Sequence, residues 1–327
     1  MDPFREFTAT QFYSAYGLTI ASQLPLPELQ PAAPQSDADL VITFGPVAWA
    51  PERLPQDGYA VLHHAGATTS YYFWQETGPI CIRDGREIRI DAQTTADAPS
   101  LRLPILGQLM ALVLLQRGHL VLHASAVALD EQGLIFVGDN RSGKSTLAAA
   151  LHARGYGFLA DDVVALNGAQ TLEVLPAFPR LKLWPEALSL LRSDPETVPP
   201  LVAGYDKRDY RVAQRHCDRA VPLARIYVLC HGREPEIEPL APIDALRTLL
   251  PHSFANRLAW NQDEGRKARD FKQLAGLLKR TPAFLLKRPP GGVSLTTLAD
   301  LLEEHDRSSR LRPAGEQPLY KDTATPA

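Results

Sequence analysis

The sequence predicts an α/β fold in two parts. A smaller β-rich N-terminal domain is expected over residues 1–98 and a larger α/β domain over 99–305, with a polar, disordered tail at 306–327. Three observations carry this. Short apolar runs bounded by Gly, Asp, Pro or Ser crowd the first hundred residues. Past residue 120, strand-like runs alternate with helix-like stretches. Between one such strand and helix lies a glycine-bounded octapeptide, residues 138–145.

In the N-terminal part the expected strands are residues 40–44, 71–74, 81–83 and 87–91. The run Tyr71, Tyr72, Phe73, Trp74 reads as a strand with one side on the core, and equally as a candidate binding face. A helix is expected to start with Pro104 at its first position and to stop at Gly118. Its run 105–115 is apolar on nearly every side and too short to span a bilayer, so it is expected to be buried. Residues 120–129, a turn at 130–133 and the strand 134–137 read as a hairpin that sets His123 beside the strand entering the octapeptide. Residues 158–166 form another strand-like run with two carboxylates, Asp161 and Asp162, in its middle. Farther on come an extended stretch at 176–185, a short helix from Glu186 and a long polar loop over 194–210. The chain closes with a strand at 224–230, helices near 243–258 and 265–278, a strand at 283–286 and a helix at 294–305.

Composition narrows the function classes. Apolar content of 45% and charged content of 22% are those of an ordinary globular chain. A net charge of −3 gives no support for a nucleic-acid or anionic-membrane partner. Three cysteines do not make a disulfide framework, and the first ten residues lack the apolar core of a signal peptide, so a cytoplasmic location is expected.

The octapeptide reads Gly-Asp-Asn-Arg-Ser-Gly-Lys-Ser and fits the phosphate-cradling pattern GxxxxGKS. Glycines at its first and sixth positions let successive backbone N–H groups turn inward onto phosphates, Lys144 reaches the β- and γ-phosphates, and the Ser145 hydroxyl suits Mg²⁺. Strand, glycine loop and helix follow in the required order, which aims a helix N-terminus at the anion. The expected nucleotide-binding residues are therefore Gly138, Asp139, Asn140, Arg141, Ser142, Gly143, Lys144, Ser145 and Thr146. Paired charges in an apolar run are costly unless they bind something, and neighbours on a strand face opposite ways, so Asp161 and Asp162 are expected to do different jobs. One would hold Mg²⁺ and the other would orient an attacking hydroxyl. His123 is a candidate neighbour of the γ-phosphate, against the blander reading of a packed, hydrogen-bonded histidine.

Residues 120–166 resemble the catalytic domain of HPr kinase/phosphorylase, which carries a histidine on a strand, a GDSGxGKS loop, a helix ending in Arg-Gly and an Ala-Asp-Asp motif. Here the same order is His123, residues 138–145, Arg154-Gly155 and Ala160-Asp161-Asp162. The resemblance implies a P-loop kinase domain of the HPr kinase type, using ATP and Mg²⁺. In it Asp162 would accept the proton of a serine hydroxyl, Lys144 would clamp phosphate, Ser145 and Asp161 would face Mg²⁺, and His123 and Arg208 would be further active-site residues. It also implies a possible homo-oligomer, since HPr kinases assemble as rings. Asn140-Arg141 departs from the family's usual Ser-Gly, and the family's later glutamate motif is not found. Tyr16-Gly17 with residues 178–184 is similar to the HPr-kinase-like proteins encoded beside lasso-peptide genes. That similarity implies a peptide or small-protein serine as acceptor, on a ribosomal precursor peptide, rather than HPr.

Two other classes fit parts of the pattern. A regulatory P-loop NTPase with water as the acceptor needs an apolar strand ending in an acid, and residues 158–161 are a short version of one. A nucleotide-binding module without chemistry fits less well, because Lys144, Ser145 and both aspartates are present. The dipeptides His216-Cys217 and Cys230-His231 would supply one zinc ligand per strand face at most. The basic residues Arg266, Lys267, Arg269 and Lys272 read as a solvated helix face.

Overall fold

The computed structural model describes residues 9–310 apart from 53–59, 67, 94–95, 169–171, 189–190, 203–205, 260–263 and 290–294. Two large sheets organise these residues. The first holds β1 (Gln11–Ala15), β2 (Leu18–Ser22), β3 (Gln30–Pro31), β4 (Leu40–Phe44), β5 (Val61–Ala65), β6 (Thr69–Trp74), β7 (Gly78–Arg83) and β8 (Glu87–Ile90). Their spatial order is β3-β1-β2-β4-β8-β7-β6-β5. β1 and β2 join through Tyr16-Gly17, both at positive φ (56° and 73°), the two-residue turn whose twist matches a hairpin. Tyr72 and Phe73 are buried on β6, while Trp74 is only half-buried.

An interrupted apolar helix follows. α1 (Ala98–Pro104) is capped by Asp97, whose carboxylate accepts from Ser100 N, and α2 (Met110–Gln116) continues the direction. Between them residues 105–109 form a wide turn in which Gly107 leaves helical geometry (φ −108°, ψ −110°). The helix thus begins earlier than expected. Pro104 is not its first residue but its break point, where a missing N–H and the ring disturb the ladder. By length and composition the run 98–116 is apolar enough to cross a membrane, yet two thirds of its most apolar window is buried inside the fold.

The second sheet contains β9 (Leu120–Leu122), β10 (Ala124–Leu129), β11 (Gln132–Val137), β12 (Gly157–Asp161), β13 (Val164–Asn167) and β14 (Glu173–Val174). After β15 (Arg180–Leu183) and β16 (Arg208–Arg211), which pair as a separate ribbon, it resumes with β17 (Val221–His231), β18 (Glu236–Leu240) and β19 (Ala283–Arg288). The eleven-residue β17 is its spine, parallel to β11 on one side and to β19 on the other. β10 runs antiparallel between β11 and β12, so β11 and β12 point the same way and end at the same edge. The helices here are α3 (Lys144–Ala153), α4 (Pro185–Leu188), α5 (Pro242–Leu249), α6 (Phe254–Arg257), α7 (Glu264–Leu278) and α8 (Leu295–Arg310).

One apolar cluster runs from the first sheet through α2 into the second, joining Ile20, Ile42, Leu112, Val121 and Ile226. Another, with Phe136, Leu147, Tyr227 and Leu298, lies beneath α3 and α8.

Three expectations are corrected here. Residues 120–129 and 158–166 each split into two strands, at His123 and at Asp162-Val163, because each half pairs with a different neighbour. The loop expected over 194–210 ends in β16, which zips onto β15. The expected tail does not start at Asp306: α8 runs on to Arg310, and Asp306 is buried against Arg225. Residues 311–327 lie outside the described residues.

Candidate active site

The site forms where β11 and β12 end. Gly138–Gly143 is the turn between β11 and α3, and its backbone shape depends on glycine at two points. Gly138 has φ +153°, and a Cβ there would lie 2.9 Å from both Leu229 O and Ser142 Oγ. Gly143, at φ +95°, adopts a left-handed conformation just before the helix. Arg141 also has positive φ (65°), and its guanidinium stacks over the Trp184 ring at 5.3 Å. Lys144 opens α3 and is almost wholly buried. Its Nζ donates to Gly138 O (2.8 Å) and Asp139 O (3.0 Å), folding the loop around its own lysine. Burial pulls the ammonium below the ordinary lysine range, against the opposing field of Asp161 and Asp162.

The carboxylates come from the end of β12 and its exit turn. Asp161 is buried. Its Oδ1 accepts from Ser125 Oγ (2.7 Å) across the β10–β12 pair, and its Oδ2 accepts from Lys182 N (3.0 Å) on β15. Asp162 is left-handed (φ 75°) and faces elsewhere: Lys182 Nζ donates to its Oδ2 at 2.6 Å, and His123 Nδ1 lies 3.1 Å from Oδ1. The two aspartates share Lys182, through its backbone N–H and its ammonium, and differ in their other partner, Ser125 for Asp161 and His123 for Asp162. The reason is a chain turn at Asp162 rather than strand alternation. Burial pushes the Asp162 carboxyl up, but the Lys182 ammonium and the His123 ring outweigh it and hold it well below the usual carboxylate range.

His123 owes its place to the break between β9 and β10. Its N–H donates to His252 O (2.8 Å), and its ring meets Phe254 edge-on. Tyr16, from the tight turn of the first sheet, reaches the same place: its fully buried hydroxyl donates to Val163 O (3.1 Å), next to Asp162.

Beside these groups lies a cavity of about 610 Å³. Asn140, Arg141, Ser142, Gly143, Lys144, Ser145 and Thr146 line it, as do His123, Asp161 and Asp162. Gly138 and Asp139 do not; they serve through the carbonyls that accept from Lys144. Arg208 is not among the lining residues. It sits on β16 opposite Leu183, and the neighbouring Lys207 lines the cavity instead, with its ammonium 5.8 Å from the Trp184 ring.

Sequence reasoning also missed Lys182, Trp184, Arg257 and Arg288, all of which line the cavity. For the first two a signal existed. Residues 180–184 read Arg-Leu-Lys-Leu-Trp, and the strand period sends Leu181 and Leu183 into the core and Lys182 with Trp184 to the other side. Arg257 and Arg288 arrive from distant elements and leave no local trace.

The donors fit a nucleotide triphosphate with a hard cation. Ser142 Oγ is buried without a partner inside the loop, and Lys144, Lys182, Lys207, Arg257 and Arg288 bring positive charge to one cavity. Ser145 and Asp161 line that cavity too. Among the described residues no set of three His, Cys, Asp or Glu side chains forms a metal cage. That donor set suits Mg²⁺, which takes one or two protein ligands and completes its shell with phosphate and water.

No protein-family model matches the chain. No curated protein matches it in sequence. Among solved structures, the HPr(Ser) kinase/phosphatase from Coxiella burnetii aligns at 15% identity with a TM-score of 0.34, over 58% of this chain and 92% of that one. A likeness at that level says nothing about chemistry.

Proposed function

We propose that this chain is a kinase that transfers the γ-phosphoryl group of ATP to a serine hydroxyl on a peptide or small protein. One observation carries the reading. The Asp162 carboxylate, held ionised between Lys182 and His123, stands on a cavity wall that also presents the glycine loop and its lysine. Phosphoryl transfer asks a protein mainly for positioning and charge neutralisation. Backbone N–H groups of the loop and Lys144 would hold the β- and γ-phosphates, and Lys182, Lys207 and Arg257 would face the charge that builds during transfer. Asp162 would accept a hydrogen bond from the acceptor hydroxyl and align it. Ionised, it can take the hydroxyl proton as the new O–P bond forms and the bond to the departing ADP breaks. Mg²⁺, held by Ser145 and Asp161, would neutralise phosphate charge. A ribosomal precursor peptide of the lasso type is the acceptor that the motif resemblance favours.

The test is intact-mass analysis of a serine peptide and its alanine counterpart after incubation with the protein, ATP and Mg²⁺. Phosphate on the serine peptide alone is expected. Asp162→Asn should slow transfer by about 10²–10⁴-fold and leave nucleotide affinity in place. ATP consumed with no phosphate on any acceptor would replace this reading with a regulatory NTPase.

A further inference from the structure

The wall that carries Asp162 has a second side. His123, Asp162, Lys182, Lys207 and Arg257 line the nucleotide-sized cavity and also a neighbouring one of about 430 Å³. The rest of its wall comes from other parts of the chain: Tyr72 and Trp74 of β6, Leu103, the helix break at Gly107 with the polar Gln108, and Phe254. A third cavity, of about 560 Å³, adjoins it, since Leu103, Lys182 and Leu201 line both. It is floored by Leu106 and Phe178, and its lining includes the exposed carboxylates Glu76 and Asp97.

Building on the kinase reading, we propose that these two joined cavities are the acceptor site. The occupant is an extended peptide with its serine at Asp162, a large apolar side chain within two residues of that serine, and basic residues toward the Glu76–Asp97 end. Three features argue for it. A hydroxyl arriving from the second cavity meets a phosphate arriving from the first at the five shared side chains, the geometry that transfer between two substrates demands. Each cavity alone falls in the size range of a small-ligand site, so together they exceed what a free amino acid or simple alcohol needs. Charge runs along the groove. Lys182, Lys207 and Arg257 stand at the Asp162 end. In the outer cavity Arg102 is paired with Glu28, Arg180 with Asp209 and Lys182 with Asp162, while Asp97 caps α1 within the field of Arg102, which leaves Glu76 as the exposed carboxylate in no ion pair among the described residues. An aromatic and aliphatic wall next to the hydroxyl position rewards an apolar neighbour and penalises a charged one.

The experiment is a positional library of serine dodecapeptides on the full chain. Binding is read by competition against a fluorescein-labelled library member, so no turnover is needed, and ATP binding is measured separately by calorimetry. A large apolar residue beside the serine should bind about 10- to 100-fold tighter than aspartate there, the scale of burying such a side chain. Lysine should be preferred over glutamate at one end only. Trp74→Ala and Leu103→Ala should erase most of the apolar preference, and Glu76→Lys should reverse the charge preference, with ATP affinity unchanged. Gln108→Trp fills the second cavity without removing core atoms, and it should abolish peptide binding alone. An apolar preference that survives Trp74→Ala, Leu103→Ala and Gln108→Trp would overturn the groove and leave the kinase reading standing. Peptides that bind as described but never receive phosphate, in a chain that binds ATP, would overturn the kinase reading and leave the groove.

Discussion

Replacing Lys182 by methionine keeps an unbranched stem and removes the ammonium 2.6 Å from Asp162 Oδ2. The two side chains are 18% and 33% exposed, so water partly screens the pair. A hydrogen bond to a charged group contributes about 1.5–3 kcal/mol, and an exposed ion pair about 0–1 kcal/mol. With His123 still 3.1 Å from the other oxygen, the loss at neutral pH should fall between, at about 1–2 kcal/mol. The sign of its pH dependence follows from Asp162. A carboxyl depressed in the folded state contributes stability in full above its unfolded value, near about 4, and loses it as pH falls through the folded value. The gap between wild type and Lys182→Met should therefore be level from pH 7 to pH 5 and close below about pH 4. Urea unfolding followed by circular dichroism at several pH values reads it directly, and Lys182→Arg, which keeps the charge, should recover part of the loss. Equal stability at pH 7, or a gap that widens on acidification, would refute the assignment of Lys182 as the group that keeps Asp162 ionised.

Gly138→Ala should weaken ATP binding about tenfold or more in calorimetry while circular dichroism stays native, because the new Cβ would press on Leu229 O and Ser142 Oγ at a φ that side chains rarely adopt. Asp306→Ala strands Arg225, whose side chain is 10% exposed, without its counter-charge. It should cost about 3–5 kcal/mol in urea unfolding, and adding Arg225→Met should restore part of that. Tyr16→Phe removes the donor to Val163 O and should cost about 0.5–1.5 kcal/mol, with slower transfer and unchanged ATP affinity if that contact steadies the Asp162 turn.

Local chemistry is what made parts of this protein legible. The strand, glycine loop and helix at 132–153 could be read because each rests on near neighbours: apolar residues for β11, glycine where the loop turns, strong helix formers in α3. His123 lies against Asp162, and the hairpin of β10 and β11 brings Ala124 opposite Val137, one residue before the loop. Where non-local pairing decides, the reading failed. Nothing in residues 120–129 says that β9 and β10 part company at His123, since the break exists only because β13 pairs with one half and β11 with the other. Likewise Asp306 reads as the start of a polar tail until Arg225, eighty-one residues earlier, is seen to need a buried counter-charge.

The sequence by itself determined that a glycine-bearing turn joins a strand to a helix at 132–153. A glycine's φ and a helix's start are settled within a few residues. Only the tertiary structure decided which cations surround that loop, bringing Lys182, Lys207, Arg257 and Arg288 to one cavity. It also decided that the N-terminal sheet helps to wall the site, with Trp74 beside the Asp162 cavity and Tyr16 beneath the Asp162 turn. Charges converge on a site from strands and helices far apart in the chain, and the burial that brings them together is a property of the packed whole, which no local pattern encodes.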